Sequence, residues 1–393
     1  MAKIAIKNDI FWVGAKDPER RFFDGLLPLP HGTTYNSYLI QGSEKTALLD
    51  TVEPALLDQL LANLEGVNKI DYIVSHHAEE DHSGSIPQML ERFPEATLLC
   101  MQRNKEMLLD LLPIPEERIR VVEDGAEISL GNKTIRFLFT PWTHWPETGM
   151  TYIPEDKILF PCDFFGSHHC FDEIFAEEKP EVYLGAQQYY VQIMMLYSKI
   201  TAKYLDRLKA LDIEMICPSH GSVYDRPQII FDLYEKWMRG EPENLALIAY
   251  ISTHDNTEVM AEYLNTALEK RGVRTVLKNL VGLPLHELAG LLTDPATIVL
   301  GSSVIMASLH PLAVYTAFLL DRLKPKAKFA AVIGSYGWSP NPLKNAGDLL
   351  ASWKPEIVGA VIAKGHPGEE TMKELDALAD AIAARHKAAG ILN

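Results

Sequence analysis

Cysteine is scarce in this chain of 393 residues: the four present, Cys100, Cys162, Cys170 and Cys217, are widely spaced and form no C-x-x-C pair. That excludes a disulfide framework, a zinc knuckle and a cysteine-ligated iron centre, and leaves these thiols as small buried hydrophobes. Long apolar runs are missing as well. No segment offers the roughly eighteen consecutive apolar residues of a membrane-crossing helix, and the opening MAKIAIKNDIFWVGAK carries no continuous apolar stretch behind its lysines. The expectation is a cytoplasmic protein with no membrane partner. Positive charge is in deficit, 37 Lys and Arg against 53 Asp and Glu, for a net charge of -16. That disfavours nucleic acid and anionic bilayers as partners, because both are recognised through basic patches. With 23% charged and 47% hydrophobic residues and no low-complexity tract, what remains is an ordinary folding chain, long enough for two domains.

The first half reads as short strands (TTYNSYLIQG, KTALLDT, DYIVSHH, ATLLC, IRFLFTP, KILFPCD) between helical patterns such as EPALLDQLLANLEG and YYVQIMMLYSKITAKYLDRLKAL. Two sheets packed between helices suit that layout. The polar stretch from Arg239 to Asn244 contains Gly and Pro and marks a boundary. Domains of 1–242 and 243–393 are expected. Beyond it strands and helices alternate, LALIAYI, NTEVMAEYLNTALEKRG, RTVLKNL, TIVLGSS, PLAVYTAFLLDRLK, KFAAVIGSYG, PLKNAGDLLASWK, EIVGAVIA and GEETMKELDALADAIAARHKAAG. This is the rhythm of a doubly wound parallel sheet.

Chemistry concentrates in SHHAEEDHSG, directly after DYIVS. His77, Glu79, Asp81 and His82 follow the pattern H-x-E-x-D-H, so a tight loop at a strand's carboxyl end can aim several imidazole and carboxylate donors into one pocket. His144 in FTPWTHWPETGM, Asp163 in ILFPCDFFGS and His220 in MICPSHGSVY lie where further strands end. These form two donor sets, enough for a metal pair sharing one bridging carboxylate. A lone histidine is more often a packed core or surface group; it is the ordered set that points to metal. His76, His168 and His169 fall outside it, as supporting or surface groups.

This series of motifs resembles the metallo-β-lactamase superfamily, whose usual first motif is H-x-H-x-D-H. Glu79 in place of the second histidine is similar to its diiron branch, the flavodiiron proteins or A-type flavoproteins. A carboxylate there makes the site harder and more anionic, which favours iron over a hydrolytic zinc pair. The resemblance implies an αββα metallo-β-lactamase-like domain followed by a flavodoxin-like domain, with GTTYNSYLI in the family's first strand pair and no rubredoxin-like extension. It further implies that His77, Glu79 and His144 hold one iron, that Asp81, His82 and His220 hold the other, and that Asp163 bridges them. In some family members the histidine matching His82 turns away from the metal.

The resemblance also implies FMN in the second half. Ser252, Thr253, His254, Asp255, Asn256 and Thr257 precede a helix, where backbone N–H groups and the helix dipole favour a phosphate. The loops holding Ser302, Ser303 and Val304, and Ser335, Tyr336, Gly337 and Trp338, would flank the flavin outside the strand carboxyl ends. Trp338 would cover the ring, and Gly334 and Gly337 would let the backbone approach. Ser303 and Val304 stand where the family often has Pro-Thr. The implied activity is reduction of dioxygen to water, or of nitric oxide to nitrous oxide, with electrons passing through FMN from rubredoxin, another small redox protein or a reduced deazaflavin. The implied assembly is a head-to-tail homodimer or a dimer of dimers. Two other readings stand beside it: a dinuclear zinc hydrolase with a fused flavodoxin module, and an electron carrier with a vestigial metal site.

Overall fold

The computed structural model describes residues 3–176 and 179–392. The chain divides into two compact units, Met1–Met238 and Arg239–Asn393. Among the described residues no helix is long and apolar enough to cross a membrane.

The first unit is built on two sheets. One has seven strands, with Tyr38–Gln41, Thr46–Leu49, Tyr72–Val74 and Thr97–Cys100 at its centre; the other has five, with Thr134–Phe139, Gly149–Ile153 and Ile158–Phe160 at its centre. Side chains alternate across a strand, and the buried residues divide accordingly. Leu39, Leu48, Ile73 and Leu98 face the helices Leu57–Asn63, Ile86–Arg92 and Gln102–Leu111, together with Leu60, Met89 and Leu108. Their neighbours Ile40, Leu49, Val74 and Leu99 turn inward against Ile135, Phe137, Ile153, Ile158 and Phe160 of the other sheet. Strands with both faces buried read as unbroken apolar runs such as TALL, YIV and TLLC. The sandwich of two sheets between helices expected from the sequence is the observed architecture.

The helical run of the first unit starts earlier than its apolar pattern suggests, at Pro180 rather than Tyr189. It widens into a π-helical turn at Tyr190–Met194, tightens at Met195–Tyr197, and continues as Ser198–Lys209. Pro180 sits at its first position, where proline removes no needed hydrogen bond.

The second unit has five parallel strands in the spatial order Arg274–Asn279, Glu243–Ile251, Pro295–Ile305, Phe329–Tyr336, Glu356–Lys364. The first strand in the chain thus lies between the second and third, which is the flavodoxin order with its switch point beside the Glu243–Ile251 strand. Helices Asn256–Glu269 and Glu369–Ala388 close one face over Ile248, Val299, Ile333 and Val361. One expected element is broken. PLKNAGDLLASWK forms a single turn at Asn341–Lys344 and a 3₁₀ segment at Ala346–Leu350, because Asn345 and Gly347 are poor helix formers.

Candidate metal centre

All seven metal-site candidates come together in the first unit. The strand Tyr72–Val74 delivers the chain to His77, and Glu79 then stands at the start of a one-turn helix, Glu80–Ser83. Asp81 and His82 therefore project from a helical turn, where the sequence suggested a loop. The turn is pinned from several sides. Ser83 Oγ donates to the Ala78 carbonyl at 2.6 Å, Thr51 Oγ1 to the His82 carbonyl at 2.6 Å, and His76 N–H to Asp50 Oδ1 at 2.8 Å. His144 lies in the loop between strands Thr134–Phe139 and Gly149–Ile153, and Asp163 just after Ile158–Phe160. His220 is tied to Asp163's segment by Ser219 N–H donating to the Cys162 carbonyl at 2.9 Å. The next residue, Gly221, has φ 77° and no room for a Cβ against Ser167, so only glycine completes this turn.

The arrangement is organised around one carboxylate. Asp163 Oδ2 lies 3.4 Å from His144 Nε2 and 3.7 Å from His77 Nε2, whereas Oδ1 lies 3.3 Å from both His82 Nε2 and His220 Nε2. Glu79 Oε2 caps the first pair, at 3.0 Å from His77 and 3.3 Å from His144. Asp81 joins the second, with Oδ1 3.4 Å from His82 and Oδ2 3.2 Å from His220. The seven donors fall into two groups able to hold an ion, His77, Glu79, His144 and Asp163, and Asp81, His82 and His220, while His82 also lies close to Asp50 and Cys162 in a third group. The His82 ring faces this pocket.

Three carboxylates and four imidazoles packed this closely out of water need compensating positive charge. Burial alone would push the imidazoles toward neutrality, yet the carboxylates overcome it: His77, His82 and His144 are raised, and His220 is pushed up to about 10 by Asp163 and Asp81. Asp163 is fully buried, which would raise it, but His82, His144 and His220 hold it well below the ordinary range. Both oxygens of Asp81 are buried without a hydrogen-bond partner. A cation satisfies them where aligned donors do not. A mixed nitrogen and oxygen donor set of this kind suits iron.

Several contributors escaped the sequence reading. Tyr189 donates its hydroxyl to Asp163 Oδ1 at 2.9 Å, and Glu147 Oε1 sits 2.6 Å from His77 Nδ1. Thr34 accepts from His220 Nδ1 through its carbonyl at 2.7 Å. Glu147 follows His144 by three positions, and that proximity was its only signal; Thr34 and Tyr189 carried none. Of the other histidines, His76 is buried between Asp50 (2.6 Å) and Thr151 (3.0 Å). His168 is half-buried against Phe23 and His220, and His169 stacks between His31 and Phe171.

In the second unit, strand pairing sets Ile251 beside Ser302, Ser302 beside Gly334, and Ser303 beside Ser335. The three loops therefore share one end of the sheet, and Thr257 Oγ1 ties two of them through Ser335 Oγ at 2.9 Å. Asp255, with φ 59°, stands before the helix Asn256–Glu269, and no side chain caps that end. The Oγ atoms of Ser252 and Ser303 are buried and unpartnered, donors of the kind a phosphate and a flavin ring use. Thr253, His254, Asp255 and Gly337 are exposed, Asn256, Val304 and Tyr336 partly so, and Trp338 is 77% exposed. Gly334 has a different reason from the one expected: a Cβ there would strike the Ser302 carbonyl of the adjacent strand and the Leu343 side chain of the Asn341–Lys344 turn, whereas Gly337 faces open space.

Comparison with known proteins agrees with this geometry. Residues 33–221 match the model of the ODP family beta lactamase. The chain is 33% identical to a nitric oxide reductase of Moorella thermoacetica, covering 90% of this chain and 91% of that protein. It is 32% identical to a type A flavoprotein of Rhodobacter capsulatus, covering 94% and 88%. Among solved structures it superimposes on rubredoxin oxygen:oxidoreductase from Desulfovibrio gigas with a TM-score of 0.93 at 27% identity, covering 98% of this chain and 99% of that one. The flavodiiron protein of Giardia intestinalis follows at 0.91 and 25%, covering 99% and 97%. Two sheets carrying a split donor set around one aspartate, a flavodoxin-ordered second unit and these relatives lead to one conclusion: the chain belongs to the flavodiiron, or type A flavoprotein, family.

Proposed function

We propose that this chain is an oxidoreductase that reduces nitric oxide, dioxygen or both at a dinuclear iron centre, with electrons delivered through FMN. His77, Glu79 and His144 hold one iron, Asp81, His82 and His220 the other, and Asp163 is shared. The observation that carries this reading is the division of Asp163, one oxygen toward each group of donors. When bound, two adjacent ferrous ions supply electrons and open coordination positions for a small gas. The balance is two nitric oxides, two electrons and two protons to nitrous oxide and water, or one dioxygen, four electrons and four protons to two waters.

The chain's own part is to gather and orient. Buried carboxylates neutralise the charge that iron brings, and their enclosure strengthens each interaction. The uncapped start of the helix Asn256–Glu269 binds the FMN phosphate through backbone N–H groups, with Asn256 and Thr257 beside it. Ser252, Thr253, His254 and Asp255 line that loop, while Ser302, Ser303, Val304, Ser335, Tyr336 and Gly337 border the ring and Trp338 lies over it.

A rubredoxin-like carrier is the electron donor in this proposal, a choice supported by the relative named rubredoxin oxygen:oxidoreductase; a reduced deazaflavin is the alternative. A head-to-tail homodimer in the cytoplasm completes it. The test is to reduce iron- and FMN-loaded protein anaerobically and follow nitric oxide and dioxygen at electrodes in parallel. Consumption of at least one gas is expected, and consumption of neither by protein with full iron and flavin overturns the proposal.

A further inference from the structure

The histidines on the two sides of Asp163 are braced from behind by groups of different charge. His77 Nδ1 faces Glu147 Oε1 at 2.6 Å, and the same oxygen accepts the Ala78 N–H at 3.0 Å. On the other side, His220 Nδ1 faces the carbonyl of Thr34 at 2.7 Å. One brace is a buried carboxylate and the other a neutral amide oxygen.

We propose that Glu147 is a positioning residue that makes the two metal positions unequal, presenting His77 to its metal as a more electron-rich imidazole than His220. The inference rests on the diiron reading above. Glu147 fixes the tautomer, because a carboxylate at Nδ1 takes that nitrogen's proton in a hydrogen bond and leaves the Nε2 lone pair free. Nε2 is the atom aimed at Glu79 and Asp163. The Glu147 side chain is wholly buried, and its second oxygen has no hydrogen-bond partner. Its charge is therefore directed into the one short bond to His77, where low local polarity makes it most effective. Trp145 closes the remaining side, its ring edge-on to His77 at 4.9 Å and 86°. Because His144 and Glu147 share one loop, a single segment supplies a donor to the first position and the brace of another.

The test uses the full chain loaded with iron and FMN, comparing wild type with Glu147→Gln and Glu147→Ala. Two quantities are read: iron retained against a chelator, and the two one-electron potentials of the iron centre. Glu147→Ala is expected to lose one of the two irons about 10–100-fold more readily while the other is held as before. Glu147→Gln keeps an oxygen that accepts from Nδ1 and from Ala78, so it should hold both irons; removal of the charge should move one potential upward and leave the other in place. Should the alanine variant fail to fold, the glutamine variant decides alone. Unchanged potentials in Glu147→Gln, or equal weakening of both irons in Glu147→Ala, overturn the inference. Wild-type protein that retains fewer than two irons defeats the diiron reading itself and this inference with it, an outcome distinct from the other two.

Discussion

The two halves of this chain handle charge in opposite ways. The metal unit packs three carboxylates among four histidines, all buried except the half-buried Glu79 and His144, and surrounds them with hydrogen-bonded segments that leave little freedom. The flavin unit keeps its candidate loops largely neutral and partly open, with hydroxyls, backbone N–H groups and an exposed tryptophan at one end of a parallel sheet. Carboxylates and imidazoles held this closely away from water form a ready donor set for a cation. Exposed backbone N–H groups at a helix start can wait for their ligand in water, because solvent satisfies them.

The sharpest way to break this contrast is Asp163→Asn. Removing the shared charge should reduce iron well below two per chain and gas consumption by more than about 100-fold, beyond the loss expected of an outer hydrogen-bonding partner. Flavin absorbance should remain stoichiometric. Iron analysis and the electrode assay check it, and unchanged iron removes Asp163 from its shared position.

Replacing Asn256 and Thr257 together with alanine should do the reverse. Hydrogen bonds to a charged phosphate are worth about 1.5–3 kcal/mol each, so FMN should bind at least about 100-fold more weakly while iron stays. Flavin titration of the apoprotein measures this. Trp338→Ala probes the open side of the same site: with no buried environment to lose, only stacking disappears. A cost of about 0.5–1.5 kcal/mol is expected, a weakening of roughly tenfold or less in that titration.

A further prediction concerns pH and isolates the second unit's core. His386 is buried between Thr297 Oγ1 at 2.7 Å and Asn244 Oδ1 at 2.8 Å, and burial holds its imidazole down to about 4. The unfolded chain takes up that proton near pH 6.5. Its contribution is therefore complete above about pH 6.5 and is lost as the pH falls toward 4. Urea unfolding at pH 7.5 and pH 5 should show a smaller drop in His386→Gln than in wild type; equal drops remove His386 from the account.

Much of the site was legible because its chemistry is compact. H-x-E-x-D-H places four donors within six residues after a strand, and such density has few explanations in packing. His144, Asp163 and His220 were legible as residues, and their division into two groups came with the family resemblance; which oxygen of Asp163 faces which ring was not legible. Glu147 went unread because a glutamate three places after a histidine is ordinary on a surface; only its complete burial against His77 marks it out. Gly334 was read as making room for a ligand, yet its neighbour is the Ser302 carbonyl of the adjacent strand. In the fold, the alternating second half was plain. The short strands near the start, such as Ile4–Lys7 and Ile10–Trp12, left too little pattern to recognise.

By itself the sequence determined which chemistry this protein carries: imidazoles and carboxylates in an ordered series, and an apolar rhythm that builds a sandwich and then a parallel sheet. Those follow from residue type and period, which are local properties. Tertiary structure alone decided which oxygen of Asp163 faces which ring, which histidine receives a carboxylate brace and which a carbonyl, and that Thr257 ties its helix to Ser335. Each of these joins residues far apart in the chain, and only the packed core fixes such distances.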